Sequence, residues 1–488
     1  MDPPSCCHVV AVPYPGRGHI NAMLNLSRLL LTSPSSSRIL VTLVLTEEWR
    51  ALLFSDSDSA RHSQPQLPVG LCIATIPNVI PSERGRAADF DGFIEAVYTK
   101  MDSPVADLLD RLDPPPAAVL ADTYLPWAVP LAARRRIPLC SLFPMAATFF
   151  ALLAHLRRLP TPTTTTTTTI EIDDQSLEQY IPGLTSMRLS DVRHMFSYGT
   201  LERAFEAISS SRKAQCLLFT SFYEIESKVI DLLREELQYP IFAIGPCIPY
   251  MLLDRESKDN AASQNGCATA NYFTWLDSQP ESAILYVSLG SFLSVSTSQL
   301  DELALGLVAS KIKFLWVARD DSPRIQETVG DAGLVVPWCE QLKVLNHPSV
   351  GGFLTHCGWN STLEALFMGV PTITLPISWD QLPDSRLMVS EWKVGLSLTE
   401  KTGEDGVIPR EEIATVVRRL MDLDGNEGNE LRNNALRLKE ASRRAIEEGG
   451  SSFNSLESFV EGLLHKHDWT KVPVSDGLME EEHTGNGC

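Results

Sequence analysis

Between Trp338 and Gln381 the chain reads WCEQLKVLNHPSVGGFLTHCGWNSTLEALFMGVPTITLPISWDQ, with its polar residues gathered at two loops. The apolar run 350–354, with Gly351 and Gly352 inside it, reads as a buried parallel strand. Residues 355–358 form a turn, and 359–368 has helical apolar spacing closed by Gly369 and Pro371. His356 and Gly358 precede the helix, while Asn360, Ser361 and Glu364 share one face of it. Free backbone N–H groups and the positive end of the dipole favour an anion there. Imidazole, amide and hydroxyl groups beside them suit a diphosphate without requiring a metal. Glu364, one turn on, is an acceptor for vicinal hydroxyls such as those of ribose. Upstream, Trp338 offers a flat indole to a base and Gln341 accompanies it. Asp380 and Gln381, after the apolar strand 372–375, supply acceptors and donors for sugar hydroxyls. Base, ribose, phosphates and sugar are thus matched in chain order.

A second group lies near the start. His19 follows the turn PGRG at 15–18, where a first strand gives way to a first helix. Ligands of open α/β sheets bind at the carboxyl ends of strands, so this imidazole should face a cleft. Asp122 ends another strand, 117–121, and can reach the same edge of the sheet; its bland alternative is a helix N-cap for 125–134. An imidazole is largely neutral at pH 7 and can take a proton from an attacking hydroxyl. A carboxylate on its far nitrogen fixes the tautomer and stabilises the imidazolium. With the substrate as nucleophile, one displacement at an anomeric carbon inverts its configuration and needs no covalent intermediate.

The elements that must position these groups alternate along the chain. Strands are expected at 8–13, 39–45, 117–121, 138–142, 216–220 and 241–244, with helices at 20–31, 90–112 and 125–134. A polar stretch, 254–269, breaks the pattern and reads as a linker with substantial freedom. A second alternation runs through 284–289, 314–317, the box and 394–398, followed by helices at 410–421 and 430–447. Two doubly wound α/β domains facing across a cleft are the natural solution. A Thr-rich tract, 161–169, reads as an exposed loop, and 468–488 as a flexible acidic tail.

Composition narrows the partners. The 488 residues allow two ordinary domains, and a hydrophobic share of 44% favours a globular chain. A formal charge of −20, from 61 acidic and 41 basic residues, argues against nucleic acid or an anionic membrane as main partner. The ten cysteines show no zinc spacing and read as reduced thiols. No signal peptide is evident, and the longest apolar stretch elsewhere, 142–156, is too short to span a membrane and contains Pro144 and His155. The expected location is the cytoplasm.

The box resembles, without a gap, the signature of plant UDP-dependent glycosyltransferases of small metabolites (glycosyltransferase family 1), and HCGWNS at 356–361 is its most specific part. VVAVPYPGRGHIN (9–21), ADTYLPWAV (121–129) and YVSLGSF (286–292) are also similar to that family, so the likeness covers nearly the whole chain. The resemblance implies the GT-B fold, with an acceptor-binding Rossmann-like domain over 1–250, a linker over 251–270 and a UDP-sugar domain over 271–451. It also implies that a helix over 452–467 returns to the first domain. His19 and Asp122 would be the base and its partner. Trp338, Cys339, Gln341, His356, Gly358, Trp359, Asn360, Ser361, Glu364, Asp380, Gln381 and Ser291 would hold the donor. Gln381 resembles the glucose-preferring pattern, and Trp359 stands where glucuronate users carry Arg, so UDP-glucose is the expected co-substrate, with no cofactor and no metal. Phe90, Phe93, Tyr124, Met145, Phe149 and Phe196 would line an apolar pocket for a lipophilic or phenolic acceptor.

Three positions depart from the family's usual box. Cys339 replaces a frequent Ala, Met368 a common His, and Asp384 a common Asn, the last adding negative charge near the cleft. Two rivals remain. A nicotinamide dehydrogenase needs a third glycine where Asn21 stands, and only Glu47 offers itself for ribose. A sensor that binds UDP-sugar without turnover keeps the fold but has no need of His19, Asp122, Asp380 and Gln381.

Overall fold

The computed structural model describes residues 6–54, 67–86, 88–160, 175–197, 199–253, 270–290, 295–399 and 406–465. The Thr-rich tract, the linker stretch 254–269, Ser291 and the tail 468–488 lie outside the described residues.

The first sheet contains β1 (Cys7–Val12), β2 (Ile39–Thr46), β3 (Leu71–Ile76), β4 (Ala118–Asp122), β5 (Leu139–Phe143), β6 (Cys216–Phe219) and β7 (Ile241–Ala243). Its order is β3-β2-β1-β4-β5-β6-β7, and every pair is parallel. All six residues of β1 are buried. Val10 and Val12 join one hydrophobic cluster, while Cys7, Val9 and Ala11 join another on the opposite face. A strand covered on both faces gains from an unbroken apolar sequence, which is what CHVVAV supplies.

The second sheet contains β8 (Ile284–Ser288), β9 (Lys313–Val317), β10 (Gly333–Val336), β11 (Val350–Thr355), β12 (Thr372–Thr374) and β13 (Gly395–Ser397). Its order is β10-β9-β8-β11-β12-β13, again parallel throughout. The order reverses between β1 and β4 in one sheet and between β8 and β11 in the other. These are the two topological switch points, where a crevice opens at strand ends.

Two strands escaped the sequence reading, β3 and β10, and both lie at sheet edges. Their residues are only partly buried, so neither shows the continuous buried run of a central strand. The helix expected over 90–112 is broken into Phe90–Lys100 and Asp102–Leu109. Pro104 explains the break, since it has no N–H to continue a helix but is tolerated in a first turn. The helix expected from 125 starts at Ala128. Asp122 is therefore not its cap; its Oδ1 accepts from the Tyr124 amide at 3.0 Å instead.

Helix Ser451–Leu464 packs against the first sheet, with Phe459 5.7 Å from Phe242. The Cys7 thiol donates to the Leu463 carbonyl at 3.6 Å, and Ser35 donates to Glu457 at 3.1 Å. Further ties cross between the two sheet domains nearer the cleft. Trp392 Nε1 donates to the Ile225 carbonyl at 3.1 Å, and Arg386 grips Asp191 through two bonds of 3.1 and 2.8 Å.

Candidate active site

His19 sits in the first turn of helix Arg17–Thr32, directly after β1, and Asp122 is the last residue of β4. Pairing of β1 with β4 brings the two together at the first switch point. His19 Nδ1 lies 2.7 Å from Asp122 Oδ2, and the carboxylate is buried while the imidazole keeps 18% of its surface. The other carboxylate oxygen is held by the Tyr124 amide, so the imidazole's partner cannot swing away. Nε2 is left as the nitrogen that can exchange a proton with a ligand. Tyr14, 5.0 Å from the His19 ring, and Tyr124, 5.9 Å from it, flank the imidazole. Tyr14 was not among the sequence candidates; its place five residues before His19 on the strand-to-helix turn was the available signal.

At the second switch point His356 follows β11, and Gly290 follows β8. A Cβ on Gly290 would lie 2.5 Å from His356 Nε2, and one on Gly358 would lie 2.6 Å from the same atom. Gly290 also has a φ of +78°, a conformation that suits glycine. The ring is thus clamped, and burial, helped by Arg319, pushes its pKa down to about 4. It stays neutral at pH 7, with one N–H to give.

Behind it Gln341 forms a hub. Its amide donates to Ser361 Oγ at 2.9 Å and Glu364 Oε2 at 2.6 Å, and its carbonyl accepts from the Tyr286 hydroxyl at 3.1 Å. Tyr286, which was not among the sequence candidates, also meets the buried Cys339 thiol at 3.3 Å. Gln341 is therefore committed to orienting Ser361 and Glu364. Burial raises Glu364 to about 7, opposed by the bond from Gln341. Trp338 is open at 54% of its surface, as a platform for a base requires.

Two box residues stand elsewhere than expected. The Trp359 indole is buried and turned into the other domain, donating to Thr220 Oγ1 at 3.1 Å beside Trp392. It acts as a wedge between domains, so its type carries no direct message about the sugar. Asn360 donates from its amide nitrogen to the Gly18 carbonyl at 2.8 Å and leaves Oδ1 buried without a partner among the described residues. The expected phosphate donor is occupied because the start of the first helix lies against the start of helix Trp359–Met368.

Asp380 and Gln381 close the crevice. The Gln381 carbonyl accepts from the amides of Ile377 and Ser378 at 2.9 and 3.2 Å, which leaves its amide nitrogen as the group on offer. Burial lifts Asp380 to about 6, and the nearby His19 opposes that rise. His19 and Asp380 thus face each other across the domains. Trp379, in the left-handed region with φ 58°, packs edge-on against Phe149 at 5.6 Å.

The six pocket candidates divide. Tyr124 touches the dyad, Met145 is nearly buried, and Phe90 and Phe196 keep exposed surface. Phe93 and Phe149 are fully buried, because they pack behind Tyr14 and Trp379, and so back the wall instead of forming its surface.

Comparison with known proteins identifies the family and the fold. Residues 220–420 match the family described as UDP-glucoronosyl and UDP-glucosyl transferase. UDP-glycosyltransferase 87A2 of Arabidopsis thaliana is 41% identical over 94% of this chain and 97% of its own length. The chain is a plant UDP-glycosyltransferase. Among solved structures, Os79 from O. sativa in complex with UDP superposes with a TM-score of 0.77 at 26% identity, covering 93% of this chain and all of that one. UGT2 of Phytolacca americana, complexed with UDP-2fluoro-glucose and pterostilbene, gives 0.73 at 25% identity, covering 94% of this chain and 100% of its own. The two parallel-sheet domains therefore form a GT-B enzyme. Among the described residues of this glycosyltransferase, no helix is long and apolar enough to cross a membrane.

Proposed function

We propose that this enzyme moves glucose from UDP-glucose to a hydroxyl or carboxyl of a small lipophilic plant metabolite, with inversion to a β-glycoside. The observation that carries the reading is the His19–Asp122 pair at 2.7 Å, facing Asp380 across the cleft. His19 Nε2 takes the acceptor proton as its oxygen attacks the anomeric carbon, and Asp122 holds Nδ1–H and stabilises the imidazolium. The bond to UDP breaks in the same step. Its growing negative charge meets neutral His356 and the start of helix Trp359–Met368. Asp380 and the Gln381 amide orient the sugar, Glu364 the ribose, and Trp338 the base. Asn360 joins the phosphates only by giving up its bond to Gly18. No metal is needed in this scheme, since neutral donors and the helix dipole meet the leaving charge.

A relative solved with UDP-2fluoro-glucose and pterostilbene supports both the sugar and an aromatic acceptor. The aromatic surroundings of His19 are compatible with such an acceptor. The described cysteines are free, which suits work in the reducing cytoplasm.

UDP release from UDP-glucose, followed with a panel of phenols, alcohols and carboxylic acids, tests the proposal. Release should require an acceptor, persist with a chelator, and nearly vanish in His19→Ala. Tight donor binding without turnover across the panel would point to a sensor. Undiminished turnover in His19→Ala would remove the assigned base.

A further inference from the structure

Asp384, one turn after Asp380 on helix Gln381–Arg386, is wholly buried, and neither of its carboxylate oxygens has a hydrogen-bond partner among the described residues. Its own amide donates to the Asp380 carbonyl at 2.9 Å. Its charged neighbours are of the wrong sign. Asp380 lies on its own element, and Glu226 faces it from helix Tyr223–Glu236 of the other domain. Glu226 is itself buried, with its oxygens engaged by the Ala147 and Thr148 amides at 3.0 and 2.7 Å. The Cys357 thiol approaches from the turn after β11, and its titration is pushed up in part by Asp384. Arg386, the cation of the same helix, is taken by Asp191. His19 acts on Asp380 from across the cleft. An ionised carboxylate without donors, flanked by two acids, is not tolerated in such a place; a carboxylic acid is.

We infer that Asp384 is a neutral carboxylic acid that positions Asp380, and that its ionisation weakens the sugar subsite at alkaline pH. The inference rests on Asp380 contacting the sugar. A charge on Asp384 would repel Asp380 through one helical turn and Glu226 across the domains. The group is also a departure from the usual Asn, whose amide is a neutral isostere of the protonated acid. Burial and these two acids push its proton affinity well above the ordinary carboxylate range. The folded chain therefore keeps a proton that the unfolded chain releases. Stability from this group falls as pH rises from the ordinary carboxylate range through the folded-state value.

The test is Asp384→Asn in the full chain. At alkaline pH the parent's KM for UDP-glucose should rise by a factor of about ten, the size of one pKa unit of like-charge coupling, while the variant stays flat. The variant should also melt above the parent at alkaline pH and with it at acidic pH. Infrared difference spectra without substrate should show a protonated carboxyl C=O band in the parent that the variant lacks. Absence of that band at neutral pH would overturn the neutral acid, and an unaltered KM profile would overturn the positioning. If the variant does not fold, infrared titration of the parent decides: a buried carboxyl band that disappears only at alkaline pH, together with the KM rise, is expected. Asp380→Ala run alongside separates the other failure. An unchanged UDP-glucose KM there would sink the sugar contact itself.

Discussion

Each sheet places a histidine just past the end of a strand at its switch point, and the two are built for opposite tasks. His19 has a carboxylate at 2.7 Å and a partly open ring, so it can gain a proton and have the resulting charge balanced. Among the described residues no carboxylate acts on His356; two glycines stand against its Nε2, Arg319 is nearby, and burial drives its pKa to about 4. One position can cycle a proton; the other gives a fixed neutral donor. The same crevice in the same topology acquires reaction chemistry or anion binding according to what stands opposite the ring. The fold supplies the location of each ring, and the groups packed around it decide what chemistry it can do.

Removing the proton acceptor should have the largest effect. His19→Ala is expected to lower kcat by about 10³-fold with little change in UDP affinity, within the usual worth of a general base. Asp122→Asn should cost somewhat less, about 10²-fold, because the amide offers the wrong partner to Nδ1–H but preserves the shape. Acceptor-dependent UDP release and a separate UDP titration measure both quantities. A comparable loss of UDP affinity in either variant would blur the division between the two histidines.

The second switch point should respond in the reverse sense. Gly358→Ala places a methyl against His356 without backbone strain, and Gly290→Ala adds strain to the same clash. UDP should bind about tenfold more weakly to Gly358→Ala. Gly290→Ala should bind more weakly still and lose about 1–2 kcal/mol of stability from its left-handed backbone. Calorimetric titration with UDP and thermal melts check this order. Equal effects of the two variants on stability would show that the backbone conformation at 290 matters little.

What the sequence conveyed about the site depended on whether a side chain acts within its own domain. The His19–Asp122 pairing was readable because the two residues stand at the ends of neighbouring strands of one sheet. The Trp359 and Asn360 side chains reach into the other domain, to Thr220 and Gly18, and no pattern within the box encodes that approach. The bonds of Gln341 to Tyr286, Ser361 and Glu364 were not legible in the box, since one of them comes from β8. The fold followed the same rule. Buried central strands announced themselves by unbroken apolar runs, whereas the half-exposed edges β3 and β10 did not.

Glu364 gives the smallest effect and the finest check on the donor domain. With its pKa raised to about 7 by burial, it is near half-protonated at neutral pH before a nucleotide arrives. A carboxylate accepts from two ribose hydroxyls, whereas a carboxylic acid offers fewer acceptor sites. UDP affinity should therefore strengthen as pH rises through about 7 and then level off, by roughly threefold in all. Stability of the free enzyme should move the other way. The folded state holds its proton while the unfolded chain has lost it, so this contribution falls from the ordinary carboxylate range up to about 7. Glu364→Gln should flatten both slopes and leave UDP binding near the weaker, acidic limit. UDP titrations across that range, with melts of the free protein in parallel, read the two slopes separately. If the affinity slope survives in Glu364→Gln, the titrating group lies elsewhere, and Asp380, raised to about 6 beside His19, becomes the residue to change next.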